Sequence, residues 1–292
     1  MSLTKQTLVI AGLEVNVYSA SSTTIAERKE VVVLFLLHGR YGRAEEVDPI
    51  ARSLIEQTQT STRARSLLII TFDQRNHGKR LVERKGNEAW SKDKTSLKHN
   101  ERHAIDMYAI QTGTARDVSL LIDFLPSFLY PDNEAHPIAE WAVAGISLGG
   151  HATWITLATD DRVTTGVPII GCPDFSKLIA YRAKQNDVEL TGRYYPKSFK
   201  DLVAKMDPAS LTQGPLNPFL GKKVLVLSGA NDTLVPWEAS EEFVTQKLNV
   251  GTTGLKKVIV SEGVGHECTE RMVQEMATFV ADNCLCYKSH KL

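Results

Sequence analysis

The sequence predicts an α/β fold built on a mostly parallel, doubly wound sheet. Six short segments rich in Val, Ile and Leu lack the regular polar alternation of a half-exposed strand. Such segments are typical of strands covered on both faces. Most of them are separated by segments with apolar residues at i, i+3 and i+4, a spacing that indicates helices. Strand alternating with helix favours right-handed crossovers and helices on both faces of an open sheet.

The elements follow one another in a regular order. The N-terminal segment alternates apolar and polar side chains and predicts a hairpin over residues 6–19 that turns at Ala11-Gly12. The buried strands are predicted at residues 31–37, 66–72, 140–145, 165–171, 222–229 and 255–263. The helices are predicted at residues 44–57, 104–125, 151–159, 237–248 and 268–284.

Two connections are longer than an alternating α/β chain needs. Residues 79–103 are highly charged and predict a polar rim insert, whereas residues 172–220 contain two weak helical patterns and predict a small helical cap insert. No Pro, Gly or Ser-rich linker is long enough to separate two domains, so we expect one domain over residues 1–292. Long inserts at one edge of a sheet usually shape a binding site.

Charge and hydropathy limit the partners. The 34 basic and 34 acidic side chains cancel, so no global field favours nucleic acid or an anionic membrane, and a small, roughly neutral partner is expected. No run of about 18 apolar residues predicts a membrane span. The N-terminus does not resemble a signal peptide, so we expect a cytoplasmic protein. The C-terminal His290-Lys291-Leu292 differs in one residue type from a peroxisomal address, which is the weaker alternative.

The cysteines predict no disulfide framework or metal site. Four are present, and they are spread unevenly over the second half of the chain: Cys172, Cys268, Cys284 and Cys286. The pair at 284 and 286 lacks the second cluster of ligands that a zinc site needs. We therefore expect reduced cysteines in packing roles, and neither a metal nor another cofactor.

The pentapeptide GISLG, residues 145–149, matches the pattern G-x-S-x-G in its required context, with a predicted strand before it and a helix after it. Turning from strand to helix within a few residues strains the backbone at Ser147. It also requires glycine at 145 and 149, where a Cβ would collide with neighbouring backbone. Ser147 would project from the carboxyl edge of the sheet as a nucleophile. The alternative is a Gly-rich turn whose serine caps the helix.

A serine nucleophile needs a general base, and the base needs an orienting carboxylate. In folds that carry a nucleophile on such a strand-to-helix turn, the acid and then the histidine come later in the chain, each on a loop after a later strand. Asp232 follows the strand at 222–229, and His266 follows the last strand. Of the eight histidines, only His266 and His290 come after Asp232, and His290 lies in the terminal tail. The sequence thus predicts Asp232 as the acid and His266 as the base.

Two backbone N–H groups are expected to form an oxyanion hole. One belongs to Leu148, directly after the serine, and the other to Arg40 in the loop HGRYG, residues 38–42, which follows the first buried strand. For His38 we expect a structural hydrogen bond that holds this loop. We likewise expect a packing role for His151, and a turn held by its own polar side chains for FDQRNHG, residues 72–78.

Taken together, HGRYG, DQRNHG, GISLGG, NDTLVP and GVGHE, in that order over residues 30–285, resemble the α/β-hydrolase fold superfamily. Within it, the polar insert and short cap are similar to small bacterial esterases of the YitV and YjfP kind and to prolyl oligopeptidase-like hydrolases. The resemblance implies the same triad of Ser147, Asp232 and His266, with Arg40 and Leu148 as oxyanion donors. Arg40 departs from the family pattern, where a small or apolar residue is more usual; its charge either favours acidic substrates or points to solvent.

These observations predict a cofactor-independent serine hydrolase, most simply a carboxylesterase that cleaves a small or medium ester through an acyl-enzyme. A thioesterase, a lactone hydrolase and a short-peptide hydrolase use the same triad and stay open. So do two other classes, a non-catalytic ligand-binding homologue and a metal-dependent hydrolase. The acyl and alcohol groups and the oligomeric state are not determined by the sequence, and a homodimer is compatible with it.

Overall fold

An eight-stranded sheet forms the centre of the molecule, in the order β1-β2-β4-β3-β5-β6-β7-β8. The computed structural model describes residues 3–20, 30–58, 64–132, 138–212 and 217–286. The strands are β1 (Leu3–Ile10), β2 (Leu13–Ala20), β3 (Val31–Leu37), β4 (Ser66–Phe72), β5 (Ile138–Ile146), β6 (Val163–Ile169), β7 (Lys223–Gly229) and β8 (Leu255–Ser261). All neighbours from β4 to β8 are parallel, and β2 pairs antiparallel with both β1 and β4.

The opening hairpin has the turn that the sequence predicts. Ala11 and Gly12 have φ angles of 50° and 81°. Two consecutive residues with positive φ match the right-handed twist of a two-residue hairpin, which favours glycine at the second position. The strands extend further than the predicted residues 6–19 at both ends, since the pairing of β1 with β2 runs from Leu3 to Ala20.

Helices cover both faces of the sheet. They are α1 (Asp48–Thr58), α2 (His103–Leu129), α3 (Leu148–Thr159), α4 (Phe175–Gln185), α5 (Lys197–Met206), α6 (Pro208–Leu211), α7 (Trp237–Glu242) and α8 (Glu270–Cys284). Side chains of α1 and α8 share one hydrophobic cluster with one face of the strands, and side chains of α2 and α3 share another cluster with the opposite face. This two-sided burial explains why β3 and β4 read as continuous apolar segments. The prediction of a doubly wound sheet is confirmed.

Several helices begin or end at residues other than the predicted ones. The helix expected at residues 151–159 begins at Leu148, directly after the serine. The helix expected at residues 268–284 begins at Glu270, because the Thr269 hydroxyl accepts a hydrogen bond from the N–H of Met272 and caps it. The helix expected at residues 237–248 changes to a π-helical turn after Glu242.

The two predicted inserts differ in structure. The segment predicted at residues 79–103 contains only short 3₁₀ turns before α2 begins at His103, although the buried Trp90 gives this polar segment a small core. The segment predicted as a cap holds three helices, α4 to α6, where the sequence shows two helical patterns. None of the helices in the described ranges is both long and apolar enough to cross a bilayer. The tripeptide His290-Lys291-Leu292, on which the weaker peroxisomal alternative depends, lies outside the described residues.

The strand order reverses at β3. The chain passes from β3 to β4 on one side and then returns to place β5 on the other side. In open α/β sheets, ligands bind outside the carboxyl ends of the strands at such a reversal, because the loops there diverge and leave a crevice. The loop after β3 contains Arg40, and the turn after β5 contains Ser147. The segment predicted to hold an oxyanion donor and the segment predicted to hold the nucleophile therefore meet at this crevice.

Candidate active site

Ser147 lies on a strained turn between β5 and α3. Its φ of 53° and ψ of −107° fall in a region that residues with a side chain rarely adopt. The flanking glycines make the turn sterically possible. A Cβ on Gly145 would lie 2.3 Å from the backbone of Gly149, and a Cβ on Gly149 would lie 2.5 Å from the carbonyl oxygen of Leu37. The structure thus gives the expected reason for both glycines in G-x-S-x-G.

A chain of two hydrogen bonds joins the three residues that the sequence singles out. The Oγ of Ser147 lies 2.8 Å from Nε2 of His266, and Nδ1 of His266 lies 2.7 Å from Oδ2 of Asp232. Loops after β5, β7 and β8 supply the three side chains. Residues that are 119 positions apart in the chain, Ser147 and His266, are therefore brought into direct contact.

The environment of Asp232 keeps its carboxyl group ionised. Burial alone would raise its pKa, but hydrogen bonds from His266 and from the N–H groups of Val235 and Leu234 outweigh burial, so the pKa is lowered. An ionised Asp232 can only accept a hydrogen bond, so it favours the tautomer of His266 that carries its hydrogen on Nδ1. In this tautomer Nε2 is free to accept the hydroxyl proton of Ser147, as a general base must.

The loop after β3 lies directly against the serine. A Cβ on Gly39 would lie 3.9 Å from the Cβ of Ser147, so the chain passes the hydroxyl at close range. Within the described part of the chain, the N–H groups of Arg40 and Leu148 donate to no other protein group. Leu148 is also the first residue of α3, where backbone N–H groups have no intrahelical partner. Arg40 and Leu148 line the same cavity as Ser147, so their N–H groups remain the candidate donors for the oxyanion hole that the sequence predicts.

His38 holds this loop in place, as the sequence predicts. Its Nε2 accepts a hydrogen bond from the backbone N–H of Gln74 at 3.0 Å, and its Nδ1 lies 2.7 Å from the carbonyl oxygen of Gly39. The side chain of Gln74 returns a hydrogen bond to the carbonyl of His38. Burial lowers the pKa of His38 to about 4, so the ring is neutral near pH 7 and can donate from one nitrogen while accepting at the other.

The FDQRNHG segment is a turn held by its own polar groups. Asp73 accepts hydrogen bonds from the N–H groups of Ala44 and Lys79 at 2.8 and 2.7 Å. Arg75 pairs with the buried Asp117 of α2 at 2.9 Å. These contacts tie the loops after β3 and β4 to α2, and the cluster does not contribute to the lining of the cavity at Ser147.

His151 is buried in the first turn of α3 and is fixed by the backbone. Its Nδ1 accepts a hydrogen bond from the N–H of Cys172 at 2.8 Å. Burial lowers its pKa to about 3, so it is neutral under ordinary conditions and offers no positive charge to a ligand. The expected packing role fits this environment, although the ring also lines the cavity described next.

A cavity of about 310 Å³ opens at Ser147 and His266. Its wall combines residues from the end of β5 and the start of α3, from the loop after β3, from α2, from the cap helix α4 and from the loops after β6, β7 and β8. They are Gly39, Arg40, Tyr41, Met107, Gln111, Ile146, Leu148, His151, Ile170, Arg182, Leu234, Glu267 and Cys268. The cap residue Arg182 was not among the predicted site residues. One signal in the sequence could have indicated it. Arg182 lies four positions after Leu178 and three after Ile179, so helical spacing places it on the same face as these two fully buried residues.

Comparisons with known proteins show similarity in structure but not in sequence family. No protein-family model matches the chain, and no curated protein matches its sequence. Among solved structures, TT1662 from Thermus thermophilus is similar with a TM-score of 0.63 and 20% identity, over 97% of this chain and 98% of that one. Est1E from Butyrivibrio proteoclasticus, solved with ferulic acid bound, has a TM-score of 0.57 and 15% identity, over 95% and 96% of the two chains.

A third structure is longer than this chain. The acylaminoacyl peptidase of Pyrococcus horikoshii has a TM-score of 0.62 and 12% identity, and the match spans 99% of this chain but only 43% of the peptidase. The chain has the α/β-hydrolase fold. The fold predicted from the motifs is therefore confirmed, whereas the narrower likeness to esterases of the YitV and YjfP kind stays a prediction. At these identities the likeness does not transfer a substrate.

Proposed function

We propose that this protein is a serine hydrolase that cleaves a small or medium carboxylic ester through an acyl-enzyme. The continuous hydrogen-bonded chain from Ser147 through His266 to Asp232, at the mouth of a cavity, is the observation that carries the proposal. Support also comes from the similar solved structures, since Est1E binds ferulic acid and another is an esterase from Pyrococcus furiosus.

The first half of the reaction uses all three side chains. Nε2 of His266 removes the hydroxyl proton as Oγ of Ser147 attacks the carbonyl carbon, and Asp232 stabilises the imidazolium that forms. The carbonyl oxygen becomes an oxyanion that accepts hydrogen bonds from the N–H groups of Arg40 and Leu148. The positive end of the α3 dipole adds to this stabilisation, because α3 begins at Leu148, directly after Ser147.

Collapse of the tetrahedral intermediate breaks the ester bond. The imidazolium of His266 returns its proton to the departing alkoxide, which leaves as an alcohol, and the acyl group stays on Oγ of Ser147. Water then takes the place of the alcohol, with His266 again removing a proton. The second intermediate releases the carboxylic acid and restores the Ser147 hydroxyl, so the protein is unchanged over the cycle.

The cavity supports a substrate of modest size. Its volume of about 310 Å³ is at the lower end of the usual range for small-molecule sites. Met107, Ile170 and Leu234 give it apolar walls, which fit an acyl chain better than a polar sugar or nucleotide. A short-peptide hydrolase is the second candidate, because the similar acylaminoacyl peptidase spans nearly all of this chain.

The test uses p-nitrophenyl esters of graded chain length with the wild type and Ser147→Ala. We expect Ser147→Ala to lower kcat by at least about a thousandfold, since the nucleophile is lost while binding is retained. The matched control is Ser198→Ala, an exposed serine of α5 that does not line the cavity and should have no effect. Survival of p-nitrophenyl acetate hydrolysis in Ser147→Ala would show that the assignment is wrong.

Two further measurements separate the other classes. A fluorophosphonate probe should label the wild type and not Ser147→Ala; a non-catalytic binding homologue would not react. Activity should be unchanged after treatment with EDTA, whereas a metal-dependent hydrolase would lose it. Parallel assays with acylated dipeptide amides distinguish an esterase from a short-peptide hydrolase by comparing kcat/KM for the two substrate types.

A further inference from the structure

Two arginines lie together beside the candidate active site. Arg40 follows β3 and Arg182 belongs to the cap helix α4, and both line the cavity that contains Ser147. Both also line a smaller neighbouring cavity of about 120 Å³. The two guanidinium groups therefore stand where the two cavities adjoin, within the reach of a substrate whose reacting carbonyl is at Ser147.

Neither guanidinium has a carboxylate partner within the described part of the chain. Arg182 donates to the backbone carbonyl of Leu234 at 3.2 Å, and its Nη1 lies 3.5 Å from Nε2 of His103. The guanidinium of Arg40 stacks on Tyr41 at 4.9 Å, and its Nη1 is shielded from solvent and has no hydrogen-bond partner among the described residues. Shielded charges in proteins are normally paired, because an unpaired one loses hydration without compensation.

The nearby titratable groups leave the positive charge of these two arginines largely uncompensated. Burial and, to a smaller extent, the charge of Arg40 lower the pKa of Arg182 to about 10, an effect that Asp232 only partly opposes. Asp232 is already bound to His266. The nearby His103 is kept neutral by burial and by both arginines, so it adds no charge of its own. Among the described residues that line the cavity at Ser147, Glu267 is the carboxylate; it is exposed and directly follows His266.

We propose that Arg40 and Arg182 bind a carboxylate carried by the ester substrate, so that the enzyme selects monoanionic esters over neutral ones. The inference rests on the proposed serine hydrolase function and specifies its substrate class. A guanidinium group presents two parallel N–H donors that match the two oxygens of a carboxylate. A bound carboxylate would supply the missing partner of Arg40 and reduce the repulsion between the two arginines.

The test compares pairs of esters in which one member carries a carboxylate and the other a neutral group. The first pair is p-nitrophenyl hexanoate and mono-p-nitrophenyl adipate, with the carboxylate on the acyl half. The second pair is 3-acetoxybenzamide and 3-acetoxybenzoate, with the carboxylate on the alcohol half. We expect the wild type to prefer the anionic member of at least one pair. Arg182→Met should lower kcat/KM for that member by about 10- to 100-fold and change the neutral member less than about threefold.

The controls separate charge from packing. Arg182→Lys keeps the charge and should recover part of the preference, although it loses the two-donor geometry. Arg193→Gln removes an exposed arginine that pairs with Glu101 and lines neither cavity, so it should leave both members unchanged. Equal activity on both members of both pairs would overturn the inference, as would a preference that Arg182→Met leaves intact.

A binding measurement keeps this result distinct from failure of the proposed function. Calorimetry of monomethyl adipate and 3-acetoxybenzoate is carried out with Ser147→Ala, and with Ser147→Ala combined with Arg182→Met. Binding that disappears with Arg182 supports the anion site, even if the wild type hydrolyses none of the esters. Absence of binding to Ser147→Ala, or binding that does not depend on Arg182, overturns it, whatever the hydrolysis assays show.

Discussion

Two buried histidines should make the protein sensitive to mild acid. His38 and His151 are almost fully shielded from solvent, and burial lowers their pKa values to about 4 and about 3. In the unfolded chain both would titrate near about 6.5. As the pH falls below this value, the unfolded state binds protons that the native state does not, so folding stability decreases until the native histidines also titrate.

The magnitude follows from these pKa values. Between pH 6.5 and the native pKa, each histidine lowers the free energy of unfolding by about 1.4 kcal/mol per pH unit. From pH 7 to pH 5 this amounts to about 2 kcal/mol for His38 and a similar amount for His151. The sum of about 4 kcal/mol is a large part of the stability of a typical domain, which is about 5–15 kcal/mol.

The assay is urea unfolding of the wild type and His38→Gln at pH 8, 7 and 5. The variant loses hydrogen bonds to Gln74 and Gly39, so we expect it to be less stable at every pH. Between pH 7 and pH 5, however, it should lose about 2 kcal/mol less than the wild type. Between pH 8 and pH 7 the two should change in parallel. Equal losses between pH 7 and pH 5 would refute the reasoning.

Two other substitutions test the active-site geometry. Asp232→Asn should lower kcat by about a thousandfold or more, because the amide no longer holds the Nδ1–H tautomer of His266, and circular dichroism should show an unchanged fold. Gly149→Ala should lower the free energy of unfolding by more than about 2 kcal/mol, because its Cβ would lie 2.5 Å from the carbonyl oxygen of Leu37. Gly39→Ala is the matched control, with its nearest contact at 3.7 Å, and should cost less than about 1 kcal/mol in the same urea titration.

Much of the fold was predictable because its signals are local. The buried strands at residues 31–37 and 66–72 have the predicted bounds, since a strand covered on both faces must be apolar throughout. The turn at Ala11-Gly12 follows from the conformational freedom of glycine. Helix ends were less predictable, because the start of α8 depends on a hydroxyl cap and the end of α7 on a π-helical turn.

The sequence by itself also determined the order of Ser147, Asp232 and His266, because parallel strands end at the same edge of the sheet and bring the loops that follow them together. The placement of Arg40 and Arg182 on the wall of one cavity was decided only by the tertiary structure. Arg182 belongs to a cap helix whose position depends on packing against distant elements, and no local pattern encodes where such a helix lies. Short motifs thus predict the candidate catalytic residues, whereas the position of Arg182 on the cavity wall depends on the packing of the cap helix.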